Sequence, residues 1–373
     1  MARKLLFVTG TRADFGKLEP LAAEARDAGF EISFFVTGMH LLERYGLTKL
    51  EVQRFEGAQV HEFLNQRPGD PQDIVLAKTV TGFSDFLAEH QPDLVIVHGD
   101  RIEALATTIV CGTNNIRCAH VEGGEVSGTI DEVFRHCNTK LAHSHFVSSD
   151  VAADRVRRMG EDTAAIHVIG SPELDFHSRP SGVTLEEVKA RYQIPFDEFG
   201  ICTFHPVTSE QANMADQARS LFETITASGR NFVVILPNND PGAEGILEAI
   251  AALPQDQFRA YPSMRFSYFS ELMKHAACMV GNSSAGVREA PFLGIPSLDV
   301  GTRQTNRAAS DSVTVCSAFD TDTIADFLAN NWGQRHARHS GYGEGRAATR
   351  FVEVLNTPEF WSRGLQKVFH DPG

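Results

Sequence analysis

Twice along this chain, short apolar runs alternate with helically spaced residues, and that recurrence leaves few folds open. In the first series the runs are Lys4 to Val8, Glu31 to Val36, Asp93 to Gly99, Cys118 to Val121, His145 to Ser148 and Ile166 to Gly170. Leu18, Leu21, Ala22 and Ala25 fall on one helical face after the first run, and Pro71 to His90 reads as a further helix. Runs this short and continuously apolar, with helices between them, specify parallel strands covered on both faces. The segment Ser171 to Thr184 breaks the pattern with Pro172, Pro180, serine and glycine. It then restarts with strands Ile201 to Phe204, Asn231 to Leu236, Ala277 to Gly281 and Ser297 to Val300, and with helices from about Ser209 to Ala227, after Pro241 and from about Gly286. The expectation is an α/β protein of two Rossmann-like domains, 1–175 and 185–340, with a cleft between them. A helically spaced tail, 341–373, is placed to pack back on the first domain.

A length of 373 residues exceeds one ordinary core and supports the two-domain reading. The formal net charge of -14 repels nucleic acid and anionic membranes, so neither is expected as a partner and an anionic ligand must be caught locally. Cys111, Cys118, Cys137, Cys202, Cys278 and Cys316 lie mostly in apolar surroundings without C-x-x-C spacing, as in a reduced cytoplasmic protein. The opening Met1 to Val8 is basic then apolar but too brief for a signal peptide, and reads as a first strand. His143 and His145 make a weak ligand pair, and no metal is expected.

The stretch His120-Val121-Glu122-Gly123-Gly124-Glu125, continuing through Asp131-Glu132 to Arg135-His136, carries the strongest functional signal. It reads as a buried strand that breaks into a glycine turn and restarts as a helix near Thr129, gathering four carboxylates at the carboxyl end of a strand, where α/β sheets do their chemistry. Helix-dipole preference accounts for Asp131 and Glu132; it does not account for Glu122 and Glu125.

Gly99-Asp100-Arg101-Ile102-Glu103 ends another strand, placing Asp100 for acid–base work, although Asp-x-x-Glu also fits a capping box. Gly10 to Gly16 lacks the spacing of a dinucleotide or P-loop motif; it reads equally as a tight strand-to-helix turn or as a loop that brings Arg12, a candidate ligand-binding residue, and Asp14 to the cleft. In the second half, His205 follows a strand, and Gly281-Asn282-Ser283-Ser284-Ala285-Gly286 offers backbone N–H groups and hydroxyls to a pyrophosphate. Glu289 is positioned for ribose hydroxyls, and Arg303 and Arg307 add cations.

Taken together and in order along nearly the whole chain, these segments resemble the nucleotide-sugar 2-epimerases. The likeness is to the hydrolysing branch that makes N-acetylmannosamine or a related sugar for sialic-acid-type or legionaminic-type biosynthesis. It is carried by Gly10 to Asp14, Gly99 to Glu103, His120 to Glu125 with Gly128 to Glu132 and Arg135-His136, His205-Pro206, and Gly281 to Gly286 through Glu289 to Gly301-Thr302-Arg303-Gln304. Glu122-Gly123-Gly124-Glu125 has the form of that branch; the non-hydrolysing branch typically has an alanine in the turn. One departure stands out: Asn306 precedes Arg307 where the family often has glycine.

The resemblance implies GT-B architecture, a UDP- or GDP-sugar substrate carrying an N-acetylhexosamine or a 2,4-diacetamido-trideoxy analogue, no cofactor, and a homodimer or homotetramer. It implies proton transfer by Glu122 and Asp131 and water handling by Asp100. It places His205 near the leaving diphosphate, which Ser283, Ser284 and Arg303 bind. A GT-B glycosyltransferase and a non-catalytic nucleotide-sugar sensor are the competing readings.

Overall fold

The computed structural model describes residues 2–371 except 68, 128–130, 239 and 308–309, and describes neither the Arg44 nor the Asp131 side chain. Two parallel sheets organise the chain. The first has the strands β1 (Lys4–Thr9), β2 (Glu31–Val36), β3 (Ala58–Glu62), β4 (Leu94–His98), β5 (Cys118–Val121), β6 (Ser144–Val147) and β7 (Ile166–Val168), in the order β3-β2-β1-β4-β5-β6-β7. The second has β8 (Gly200–Thr203), β9 (Phe232–Ile235), β10 (Phe258–Tyr261), β11 (Met279–Gly281), β12 (Ser297–Val300) and β13 (Val313–Cys316), in the order β10-β9-β8-β11-β12-β13.

The period-two geometry of a strand explains the continuous apolar runs. Leu5 and Phe7 of β1 face a core shared with Leu18, Leu21 and Phe351, whereas Leu6 and Val8 face the opposite core with Phe83, Val95 and Val97. Leu5 to Thr9 are therefore all buried, and truncating Phe7 to alanine would cost about 3–5 kcal/mol through lost transfer energy and a cavity. In the second sheet Cys202 and Val234 likewise face one core while Ile201 and Val233 face the other.

Contacts divide the chain into two compact units: Met1–Glu125, Ile130–Asp175 and Tyr342–Gly373 form one, and Val126–Thr129 with Phe176–Gly341 form the other. Within the first, the helix Ala347–Leu355 starts on the Asp175 carboxylate, which accepts from the backbone N–H groups of Ala347 and Ala348 at 2.8 Å each. Arg117 holds the following turn by donating to the carbonyls of Phe360, Trp361 and Arg363 at 3.3, 3.0 and 2.8 Å.

The segment read from sequence as a break, 171–184, begins with a helix, Glu173–Ser178. The helix expected from about Gly286 starts at Ser284 and is interrupted at Arg288, giving Ser284–Val287 and Glu289–Phe292. β3, β10 and β13 were not expected from the sequence. All three are edge strands with partly exposed residues, so their apolar signal is diluted by polar positions such as Gln59, His61, Arg259 and Thr314.

Each sheet reverses its strand order once, between β1 and β4 and between β8 and β11. In open α/β sheets the carboxyl ends of strands beside such a reversal splay apart and leave a crevice. The loops after β1, β4 and β5, and those after β8, β11 and β12, carry the residues that the sequence singled out.

Candidate active site

In the first unit, β5 ends at Val121 and the chain turns at Glu122 with φ +62°. A non-glycine residue held there costs on the order of 1–3 kcal/mol, which surrounding contacts must offset. They do so through the carboxylate. Oε2 accepts from Lys17 Nζ at 2.6 Å and faces His98 Nε2 at 3.1 Å, and the Ser171 hydroxyl donates to Oε1. Lys17 also reaches Glu173 Oε1 at 3.2 Å, and the Ser171 hydroxyl lies 2.6 Å from Glu173 Oε2.

The second ring nitrogen of His98, Nδ1, lies 3.0 Å from Asp14 Oδ1. Burial disfavours charge on both partners. Their mutual hydrogen bond outweighs it, together with the Glu122 contact on His98 and the fields of His98 and Arg101 on Asp14, so Asp14 sits below the usual carboxylate range and His98 above the usual imidazole value.

Gly124 has φ +76°, and a Cβ there would sit 2.3 Å from the Ala152 carbonyl oxygen, so only glycine lets the turn pass beneath the helix Asp150–Arg158. Glu125, also buried, accepts from the Ser148 hydroxyl. Asp100, after β4, forms an ion pair with buried Arg135. The sequence expectation of a capping box is not met: the helix Ile102–Thr113 has Arg101 at its N-cap without a side-chain cap, and Glu103 is instead buried beneath Gly10 and Gly38. Arg12, expected at the ligand, pairs with Glu51. The helix that the motif was expected to start near Thr129 runs from Asp131 to Leu141, while Gly128, Thr129, Ile130 and the Asp131 side chain lie outside the described residues.

In the second unit, Asn282 links the strand ends. Its Oδ1 accepts from the His205 backbone N–H at 2.6 Å, its Nδ2 donates to the His205 carbonyl at 2.8 Å, and its own carbonyl accepts from Arg303 at 3.2 Å and Gln304 at 2.9 Å. The preceding Gly281 has φ +129°, with a Cβ position 2.1 Å from the Thr203 carbonyl oxygen, so this close crossing of β8 excludes any side chain. Burial, assisted by Arg303, lowers His205 to about 3, so its ring is neutral. Its Nδ1 accepts from the Asn238 backbone N–H at 3.1 Å, which puts the ring proton on Nε2 as a donor.

Ser283 caps the short helix that follows, accepting from Ala285 N–H at 3.3 Å, and Ser284 beside it is partly exposed. Gly286 is buried with Ser297 Oγ 2.8 Å from its Cβ position. Glu289, expected at a ribose, faces His177 Nε2 at 2.8 Å through Oε1. Asp299 on β12 is buried, with Oδ1 unpartnered among the described residues, and burial raises it to about 7 despite Arg303 and Arg307.

The sequence of this chain matches the family UDP-N-acetylglucosamine 2-epimerase over residues 22–356. It is 44% identical to a UDP-N-acetylglucosamine 2-epimerase of Neisseria meningitidis serogroup B, over 99% of each chain. The chain belongs to the UDP-N-acetylglucosamine 2-epimerase family. A UDP-N,N'-diacetylbacillosamine 2-epimerase (hydrolyzing) of Legionella pneumophila is 32% identical over 98% of this chain and 99% of its own. Among solved structures, UDP-GlcNAc 2-epimerase from Neisseria meningitidis bound to UDP-GlcNAc matches with TM-score 0.80 at 18% identity, over 94% of this chain and 99% of that one. The Methanocaldococcus jannaschii UDP-GlcNAc 2-epimerase in complex with UDP-GlcNAc and UDP matches with TM-score 0.78 at 16% identity, over the same shares. Two Rossmann-like α/β units of the GT-B type are thus the fold of this epimerase.

The departure at Asn306 has a physical reading in this epimerase. Asn306 has φ +64°, the left-handed conformation that favours glycine and that asparagine adopts more readily than other side chains. The backbone that leads into Arg307 is therefore kept, and Arg307 Nε donates to the Val126 carbonyl.

Lys17, His98, Ser171 and Glu173 escaped the sequence reading. The signals for them were faint: His98 is a polar residue closing the buried run Leu94–His98, Lys17 lies three residues beyond Asp14 in the helix Arg12–Asp27, and Ser171 opened a segment read as a linker.

Proposed function

We propose that this epimerase is of the hydrolysing kind. It converts a UDP-N-acetylhexosamine, UDP-GlcNAc or a 2,4-diacetamido-trideoxy analogue, to the free 2-epimer and UDP. The observation that carries this reading is Glu122, an acid kept in a left-handed conformation whose carboxylate is fixed by Lys17, His98 and Ser171. Support for hydrolysis comes from the Glu122-Gly123-Gly124-Glu125 turn and from the Legionella relative, whose name records a hydrolysing reaction.

The C2–H of an N-acetylhexosamine is not adjacent to a carbonyl, so a carboxylate cannot remove it until the anomeric leaving group departs. Breaking the C1–O bond to UDP makes C1 oxocarbenium-like and acidifies C2–H. Transfer of that proton to Glu122 or Asp131 leaves the electron pair as a C1=C2 double bond. Return of a proton to the opposite face of C2 and addition of water to C1 give the free epimer.

Asp100, held by Arg135, orients the water. His205 donates from Nε2 to the departing diphosphate, which the Ser283–Ser284 turn, Gly286, Arg303 and Arg307 bind, with Glu289 toward the ribose. The enzyme works without a cofactor, in the cytoplasm, as a homodimer or homotetramer.

Incubation with a panel of UDP- and GDP-sugars tests the reading. Free 2-epimer with stoichiometric UDP is expected. A 2-epimer still linked to UDP would place the enzyme in the non-hydrolysing class, and sugar released without inversion would make it a transferase hydrolysing its donor.

A further inference from the structure

His98 places each of its two ring nitrogens against a carboxylate, Asp14 Oδ1 at 3.0 Å and Glu122 Oε2 at 3.1 Å. A neutral imidazole has one N–H, so one of these contacts would oppose two lone pairs. Both are satisfied only when the three groups hold a further proton, as an imidazolium between two carboxylates or as a neutral ring with one carboxyl protonated. The side chains of His98, Asp14 and Glu122 are 10%, 8% and 5% exposed, so water does not supply the missing contact cheaply.

We infer that His98, oriented by Asp14, is a positioning residue that shares a proton with Glu122, fixing the oxygen and the protonation state that Glu122 presents to C2–H. This rests on the proposed role of Glu122 in proton transfer. In the step itself the C2–H bond breaks, an O–H bond forms on Glu122, and the electron pair becomes the C1=C2 bond as UDP leaves. The Glu122 charge disappears while Asp14 continues to balance the imidazolium, so no second proton has to move.

Other charged or titratable groups face this bridge from each packed element. They include Lys17 on the helix Arg12–Asp27, Arg101 before and Glu103 within the helix Ile102–Thr113, His40 after β2, which burial lowers to about 4, His120 on β5, which burial keeps neutral at about 3, and Glu173, which reaches Glu122 through Lys17 and Ser171. Lys17 reaches the Glu122 end of the bridge at 2.6 Å and Glu173 at 3.2 Å.

The test is the pH dependence of kcat and KM for UDP release by the full chain carrying His98→Gln or Asp14→Asn. Glutamine keeps a hydrogen-bond donor and loses the cation; asparagine leaves the ring without its counter-charge. Losing the imidazolium makes Glu122 easier to protonate, so the acid limb of kcat should move to higher pH by roughly one unit in His98→Gln, and less but in the same direction in Asp14→Asn. The maximal rate should fall at least about tenfold in His98→Gln with KM nearly unchanged.

Acid limbs that stay in place in both variants while the rate falls would overturn the inference and leave His98 as packing. Glu122→Gln serves as the control on the underlying reading. If it still exchanges C2 hydrogen with solvent, the proton-transfer role of Glu122 fails first; if it is inactive and the limbs do not move, only the shared proton fails. Should His98→Gln not fold, as judged by circular dichroism, the Asp14→Asn profile decides alone.

Discussion

Arg135 closes its guanidinium on the Asp100 carboxylate and donates from Nη1 to the Glu125 carbonyl at 3.1 Å, so one buried side chain ties the loop after β4 to the turn after β5. Asp100 is 23% exposed and keeps access to solvent. Its orientation is therefore set from behind by a helix that begins within the motif.

Replacing Arg135 by methionine removes both contacts and should lower stability by about 2–3 kcal/mol, the usual worth of hydrogen bonds to charged groups. Arg135→Lys keeps the charge but not the fork that reaches Asp100 and Glu125 together, and should retain more stability while still losing most activity. Thermal unfolding and UDP release measured on both variants check this. An Arg135→Met protein that melts like the parent would show that the ion pair contributes nothing.

Asn306 offers a cleaner backbone experiment, because it is exposed and its conformation rather than its contacts is at issue. Asn306→Gly should change stability by no more than about 0.5 kcal/mol, whereas a β-branched valine at φ +64° should cost about 1–2 kcal/mol and weaken UDP binding through Arg307. Equal UDP affinity by calorimetry for the glycine and valine variants would separate Arg307 from the nucleotide.

Glu161 controls acid stability. It accepts from Lys140 at 2.6 Å, from His145 Nε2 at 2.9 Å and from Lys367 at 2.5 Å. Burial raises its carboxyl, but these hydrogen bonds outweigh that and bring it down from 4.5 to about 2. His145 moves down as well, because burial dominates, while Lys140 and Lys367 bring positive charge to Glu161. A carboxylate depressed in the folded state stabilises above its unfolded value and loses that contribution as the pH falls. Roughly 2–3 kcal/mol should therefore disappear between about pH 4.5 and pH 2. In Lys367→Met the folded value rises, so acid unfolding followed by near-ultraviolet circular dichroism should begin at higher pH. An unchanged acid midpoint would remove Lys367 from this balance.

Strands buried on both faces were readable because nearly all residues of β1, β4 and β5 are buried and most of them are apolar, whereas β3, β10 and β13 lie at edges and mix polar with apolar positions. The same logic governs the site. Asp100 and Glu122 were legible as acids where a strand gives way to a glycine turn. Lys17 and Ser171 belong to elements whose sequence looks like ordinary helix and linker, and only folding brings them to Glu122. The ion pair of Arg12 with Glu51 and the contact of Glu289 with His177 depend on side chains 39 and 112 residues away, which no local pattern encodes.

The proposed elimination to a glycal, followed by rehydration, is tested by NMR of early product formed in heavy water. Free sugar inverted at C2 and carrying deuterium there is expected, because the original C2 proton is lost to a carboxylate as the glycal forms and solvent supplies its replacement on the other face. Inverted sugar that retains protium at C2 from the first turnovers would contradict it and release Glu122 and Asp131 from proton transfer.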